Sequence, residues 1–540
     1  GLKPEQIGRL AILVTAFWLL APLHVSTVLY AVQRMAQLST LFSLAGLLLF
    51  IVRRERWSQY GASTGELIST SLWLMLLYLL AILSKENGIA LIWLLTVVEV
   101  SLFRGQWGGQ KIAWLQRLGW LAFFLPLILV GAILLLAPGY LIGGYVQRDF
   151  SLEERLLTQL RLLWRYVSWM ALPNISSMGF QHDDIAVSRS LLAPLTTSMA
   201  AAGWVVVMLA AFILRHKFPL LGFALAFYLV AHFLESSFWP LEMVYEHRNY
   251  LPSVAVFMLL AVVLDRLIEK QQLIRMPLVI LLLGVCLSTA LFLRVHVWAE
   301  PIRLSAVNVK NHPGSSRSHY FMAESWLNAY RTAPSNAQDS DEYKSYLVLA
   351  RHEFELMHDA NPRDMAAIVM LYYMDHHFFP ELQGYDDWLA VLEALAIDRP
   401  LQVSDYHALE GLLDCVEAAI CPVSEVRLLG LLNSLKQRYP NSTRLELLKY
   451  RYLKSTMAPL SSRIGLLEKL LGKDPWDALV YQNLLSEQAV SGNITGLYES
   501  VMAWMAHDPR RLHLGSMRKM FTEPDQELPT AASNSVAPSL

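Results

Sequence analysis

The sequence predicts an all-α protein, a polytopic bundle of membrane-spanning helices followed by a soluble α-solenoid of tetratricopeptide-like repeats. Three observations carry this. The 540-residue chain is 55% hydrophobic and 16% charged, with a mean hydropathy of +0.37, which is unlike an ordinary soluble domain. Apolar runs of about 17–22 residues, the length that crosses ~30 Å of hydrocarbon, recur before residue 295. Beyond it charges become frequent, and Pro–polar boundaries approach a repeat spacing. A net charge of −1 leaves no basic footprint for nucleic acid, so the bilayer is the expected partner.

Nine spans are expected in a membrane domain covering 1–295, at 10–22, 36–52, 67–83, 88–103, 119–138, 198–214, 218–234, 250–268 and 276–294. Lys and Arg favour the cytosolic side of short loops. Lys3 and Arg9 precede the first span. Arg53, Arg54 and Arg56 follow the second, and Arg104, Lys111 and Arg117 the fourth. Arg215 and Lys217 follow the sixth, and Arg266, Lys270 and Arg275 the eighth. Every alternate loop is therefore basic. The opposite loops, including the long one at 139–197, face away from the cytosol, and so does the domain after 295.

Within the long loop, Leu152, Leu156, Leu157, Leu160, Leu163, Trp164, Val167 and Met170 have helical spacing, with Arg155, Arg161 and Arg165 among them. This pattern predicts an amphipathic helix in the membrane interface. Residues 296–525 read as helical, with boundaries at Pro313, Pro362, Pro440, Pro475 and Pro509. The last two intervals are 35 and 34 residues, the period of tetratricopeptide repeats, while the earlier ones, 49 and 78, imply insertions. Helices are expected at 319–331, 342–357, 463–472 and 476–490. The polar stretch 526–540 is expected to be disordered. Cys286 lies inside a span. Cys415 and Cys421 are close enough in sequence to pair in an oxidising compartment, or else are two free buried thiols.

Four polar clusters end apolar helices, and the topology puts all four on the non-cytosolic face. The first runs from His24 to Gln33-Arg34, in a stretch that reads as a short interfacial helix joined to the second span. Arg34 either snorkels to the interface or holds a phosphate with its guanidinium fork. The second, Ser84-Lys85-Glu86-Asn87-Gly88, occupies a tight hairpin. Lys85 and Glu86 are either a capping pair or a costly charge pair that marks a site, with Lys85 on a lipid phosphate and Glu86 orienting it or a neighbouring base.

The third, His182-Asp183-Asp184, is either a solvated turn or a site. Vicinal carboxylates beside a histidine suit a divalent cation such as Mg or Mn, or general-base work. The fourth, Glu246-His247-Arg248-Asn249-Tyr250, is the densest in charge and follows His232, Glu235 and Glu242. Glu242 and Glu246 share a face if the loop is helical.

Together these clusters resemble the transmembrane, tetratricopeptide-repeat protein O-mannosyltransferases and their bacterial relatives, polytopic glycosyltransferases of the C-type fold. Ser84-Lys85-Glu86-Asn87-Gly88 is similar to that family's Cys/Ser-Lys-Glu-Gln/Asn-Gly motif. Glu246 through Ser253 resembles its Glu-Arg-x-x-Tyr-x-Pro-Ser stretch, with one more residue between Glu and Arg. Pro22-Leu23-His24 through Gln33-Arg34 resembles its His-Pro-x-His-x-Glu-Ala-Val…Gly-Arg element, with Ala21, Ser26 and Gln33 where the family has His, Glu and Gly. The resemblance covers about residues 10–520.

It implies transfer of a sugar from a polyprenyl-phosphate carrier to an acceptor outside the cytosol, in a bacterial inner membrane with the repeat domain in the periplasm. Arg34, Lys85 and Arg248 would serve the phosphate, together with His24, His247 and Tyr250. Glu246, Asp183, Asp184 or Glu86 would supply the acid–base chemistry, and Asp183, Asp184 and His182 would hold any metal. The family's principal catalytic acid lies in the first non-cytosolic loop, after the first helix. That loop is not found here, so the chain is expected to be truncated upstream of Gly1. The acceptor is expected to be a protein presented to the repeat domain. A glycan acceptor, as for an O-antigen ligase or polymerase, and a non-catalytic membrane-anchored scaffold are the competing readings.

Overall fold

The computed structural model describes residues 3–270, 276–384, 386–398, 401–508, 511, 513 and 515. The expected tail at 526–540, the boundary at Pro509 and the base Arg275 lie outside the described residues. Helix makes up 76% and strand 1%, so the chain is all-α as expected. It divides into two compact units, Gly1–Ser325 and Trp326–Leu540.

The first unit runs α1 Pro4–Leu20, α2 Val25–Leu29, α3 Arg34–Tyr60, α4 Thr64–Ser84, α5 Ala90–Val98, a hairpin of β1 Gln106–Trp107 and β2 Gln110–Lys111, α6 Ala113–Leu136 and α7 Pro138–Ile142. It continues through α8 Leu152–Ala171, α9 Thr196–Ile213, α10 Pro219–Ala231, α11 Ser253–Lys270, α12 Met276–Trp298 and α13 Pro301–Asn311 into α14 Ser316–Arg331. Local chemistry sets many ends. Ser63 and Glu66 form a capping box at the start of α4, and Ser151 and Glu154 do so at α8, each satisfying free N–H groups of the first turn. Gly61, at φ +74°, closes α3 by donating to Trp57, a conformation that favours glycine.

All nine expected spans correspond to helices. Among the described residues six are long and apolar enough to cross a membrane: Ala31–Tyr60, Thr64–Ser84, Glu86–Phe103, Ala113–Leu136, Thr196–Ile213 and Leu278–Trp298. A seventh is possible if α1 and Pro22–Leu29, which meet at a 50° bend, count as one. The other two expected spans fall short for physical reasons. Helix α10 has 13 residues, about 20 Å at 1.5 Å per residue, and α11 ends in Asp265, Arg266, Glu269 and Lys270.

The core is centred on α5, α8, α10 and α11, through Leu91, Leu94, Leu162, Tyr166, Phe227 and Phe257. Helices α6 and α12 are each only 6% buried over their apolar windows. Asp265 and Arg54, the buried charges at the basic-loop end, are neutralised in pairs. The Arg54 fork meets Glu99 at 2.7 Å through both Nε and Nη2, and Arg9 pairs with Asp265.

The second unit contains α15 Asp341–Ala360, α16 Met365–His377, α17 Trp388–Asp398, α18 Val403–Glu417, α19 Glu425–Arg438, α20 Thr443–Ser455, α21 Leu460–Leu471, α22 Ala478–Val490 and α23 Ile494–His507. Each packs on its neighbour or next neighbour in sequence. Leu409, Leu412 and Leu413 of α18 and Leu428, Leu431 and Leu435 of α19 belong to one core. Cys415 and Cys421 are joined by a disulfide, and Cys286 is free.

Candidate functional site

The site begins at the 3-10 turn Glu246–Asn249, which follows extended Tyr245 and leads into α11. Glu246 is 2% exposed. Arg294, near the end of α12, grips it bidentately, Nη2 to Oε2 at 2.9 Å and Nη1 to Oε1 at 3.2 Å. Oε1 also accepts the Gly179 N–H at 2.9 Å. Burial pushes the Glu246 carboxyl up, but Arg294 and His182 outweigh it and hold it below the usual range. Such a saturated, ionised carboxylate is a weak proton acceptor. Both oxygens of Glu246, expected as a base, are engaged by Arg294 and Gly179.

The loop after α8 delivers the third cluster. Gly179 is required by close approach, since a Cβ there would sit 2.9 Å from Asn308 Oδ1 and from His312 Nε2. His182 is buried, with Nε2 3.6 Å from Glu246 Oε1. Neither of its ring nitrogens has a hydrogen-bond partner among the described residues. Burial, partly offset by Glu246, keeps its pKa below the ordinary value. The ring meets that of His312 edge-on at 4.7 Å.

The two aspartates turn to the junction of α13 and α14 rather than to each other. Asp183 accepts from Ser315 Oγ and from the Arg317 N–H at 3.2 Å. Asp184 pairs with His312 Nδ1 at 3.0 Å. Among the described residues no group of three or more His, Cys, Asp or Glu side chains is spaced to hold a metal ion. The expected cation ligands His182, Asp183 and Asp184 each have different neighbours: Glu246, Ser315 with Arg317, and His312.

The second cluster meets the fourth. Lys85, in the hairpin after α4, lies 3.2 Å from Glu235, and each side chain is 3% exposed. The hairpin is tight enough to need Gly88, where a Cβ would sit 2.4 Å from the Ala81 carbonyl carbon. His247 is stacked on Tyr245 at 5.0 Å. Burial and the charges of Lys85 and Arg248 push it well below the ordinary histidine value. Arg248 is 4% exposed. It donates through Nη1 to the carbonyls of Glu242 at 2.6 Å and Met243 at 3.1 Å, and no carboxylate among the described residues pairs with it. Glu242 is engaged by Arg148 and by Arg317 at 3.2 Å. Burial raises its pKa, but those two arginines outweigh it and bring the carboxyl down to about 2.

The first cluster divides. Both nitrogens of His24 are taken, Nδ1 by Trp18 O at 2.9 Å and Nε2 by Ser253 Oγ at 3.1 Å. Its ring packs on Tyr250 at 4.8 Å, and Tyr250 packs on Trp18 at 4.6 Å. His24 and Tyr250 thus join α1 to the start of α11, and this inward packing replaces the phosphate contact expected of His24. Arg34 opens α3 and is exposed, with no ion-pair partner among the described residues. Glu86 is also exposed and likewise unpaired among them, which removes the capping-pair reading of Lys85-Glu86.

No family model, no curated protein and no solved structure matches the chain. The geometry alone therefore carries the functional argument.

Sequence reasoning missed Arg294, His312, Ser315 and Arg317, all in or beyond the last span yet within the first unit. For Arg294 a signal existed: an arginine at the end of a span that the loop charges predict to be non-cytosolic runs against the charge rule. His312, Ser315 and Arg317 lie in an ordinary polar turn and carry none. Arg155, expected in an interfacial stripe, is instead fully buried and donates to the carbonyls of Glu235, Ser237, Leu241 and Glu242. Four carbonyls of one loop compensate its desolvation.

Proposed function

We propose that the chain is an integral-membrane glycosyltransferase of the C-type architecture that moves a sugar from a polyprenyl-phosphate carrier to a protein acceptor on the non-cytosolic face. The observation that carries this reading is Arg248. A buried guanidinium normally has a carboxylate partner. Arg248 has two backbone carbonyls and the face of the Tyr245 ring at 5.3 Å but no carboxylate among the described residues, in a region where Lys85 and Arg248 both depress His247. Such a site favours an anion, and at the edge of an apolar bundle the fitting anion is a lipid phosphate. Arg248 holds the phosphate, with exposed Arg34 as a second cation. Lys85, already matched to Glu235, adds positive charge only when an anion draws it away. Glu86 is the carboxylate open to an acceptor hydroxyl.

Two further features support the placement. The Cys415–Cys421 disulfide fits an oxidising periplasm and a bacterial inner membrane. In the second unit, Arg427–Glu393, Arg444–Glu410 and Arg451–Glu417 are ion pairs that each span 34 residues. That recurrence supports a tetratricopeptide-like solenoid, which would present the acceptor peptide.

The test is binding of undecaprenyl phosphate and of undecaprenol to the full chain in lipid nanodiscs, followed by transfer from a polyprenyl-phosphate sugar to a peptide library. Preference for the phosphate that is lost in Arg248→Ala and partly retained in Arg248→Lys supports the reading. Equal binding of both lipids overturns it.

A further inference from the structure

We infer that Arg294 is the positioning residue of this site, setting the Gly179–Asp184 loop and the Glu246–Tyr250 turn through one carboxylate. The inference rests on the proposed anion site, but its geometry is independent of the ligand. Glu246 joins both segments to α12. Its own turn carries Arg248 two residues on, its Oε1 takes the Gly179 N–H at 2.9 Å, and its two oxygens take the Arg294 fork at 2.9 and 3.2 Å. Arg294 Nη1 also lies 2.9 Å from Met178 Sδ. The guanidinium is thus anchored to the residue before Gly179 as well as to the carboxylate that receives the Gly179 amide.

A planar fork fixes both the distance and the plane of the carboxylate, which a lysine ammonium cannot do. With the plane fixed, the Glu246 backbone is fixed, and the Arg248 guanidinium two residues later is aimed. The same plane sets the distance to His182, whose Nε2 lies 3.6 Å from Oε1. Arg294 and Glu246 are 7% and 1% exposed as side chains, so water does not substitute for either partner. Arg294 therefore acts on a bound anion through Glu246.

The experiment compares wild type, Arg294→Lys and Arg294→Met as full chains in nanodiscs. Amide exchange is followed by mass spectrometry in segments 176–184 and 246–250, and undecaprenyl phosphate is the binding probe. Arg294→Lys is expected to raise exchange at least tenfold in those two segments, with exchange in α3 to α5 unchanged, and to weaken binding about tenfold. Arg294→Met is expected to exceed it in both. Should Arg294→Met fail to fold, the lysine variant decides alone, since it keeps the charge and removes only the fork. Unchanged exchange in both segments, or unchanged affinity with raised exchange, overturns the inference. If wild type does not bind the probe, the anion-site reading falls, and exchange alone decides whether Arg294 orders the two segments.

Discussion

Lys85 and Glu235 form a buried ion pair, Nζ to Oε1 at 3.2 Å, with each side chain 3% exposed. The pair joins the hairpin after α4 to the segment after α10, and it makes Lys85 a poor choice for a single-residue test. Removing one partner strands a buried charge, at a cost of about 3–5 kcal/mol, whereas replacing both with apolar groups is often neutral. Lys85→Met is therefore expected to lower the yield of folded protein sharply and Lys85→Met/Glu235→Met to restore it. Fluorescence-detected size exclusion after detergent extraction measures this. A double variant as unstable as the single one would show that the pair is not the source of the loss.

Glu242 gives a pH signature. Its folded carboxyl is at about 2 against an ordinary 4.5. The lowered folded value means that its pairs with Arg148 and Arg317 contribute fully above about pH 4.5, and that the contribution is lost as pH falls through about 2. Glu242→Gln should melt below wild type at pH 6, and the gap should close as pH approaches about 2. A gap independent of pH across that window would refute the assignment. Apparent melting temperatures in detergent suffice.

Arg155 should behave as a loop clamp. Its loss leaves the carbonyls of Glu235, Ser237, Leu241 and Glu242 without their charged donor, for about 3 kcal/mol or more. Arg155→Met is expected to expose the 235–242 segment to limited proteolysis. Arg155→Lys should rescue only part, because an ammonium cannot reach the same four acceptors at once. Protection equal to wild type in Arg155→Met would count against the clamp.

The Cys415–Cys421 disulfide closes a short loop, so its removal should cost only about 2 kcal/mol. Alkylation of unreduced, denatured protein should label Cys286 alone, and reduction should add two sites. Three labelled cysteines before reduction would contradict the oxidised pair and the compartment assigned to this unit.

Much of the fold was legible from local chemistry. The nine apolar runs mark α1, α3 to α6 and α9 to α12, because helix length and hydrocarbon thickness share one scale. The amphipathic spacing of 152–172 is α8, Leu152–Ala171, and Pro313, Pro362, Pro440 and Pro475 fall between helices. That the second and fourth clusters meet was hinted by their common place at helix ends, and the structure brings Lys85 to Glu235. Membership of the site was less legible. His24 and Glu246 were marked as chemical groups by their residue type, yet each is consumed by partners 229 and 48 residues away.

The sequence by itself determined an all-helical chain, its apolar segments and four polar clusters at one end, because these follow from periodicity and from the cost of burying charge. Only the tertiary structure decided which charges are neutralised and which remain available. Glu246 is bound by Arg294, Lys85 by Glu235 and Glu242 by two arginines, while Arg248 meets two carbonyls and the Tyr245 ring and no carboxylate among the described residues. Ion pairing depends on distances of a few ångströms between residues far apart in the chain, and no local pattern encodes those distances.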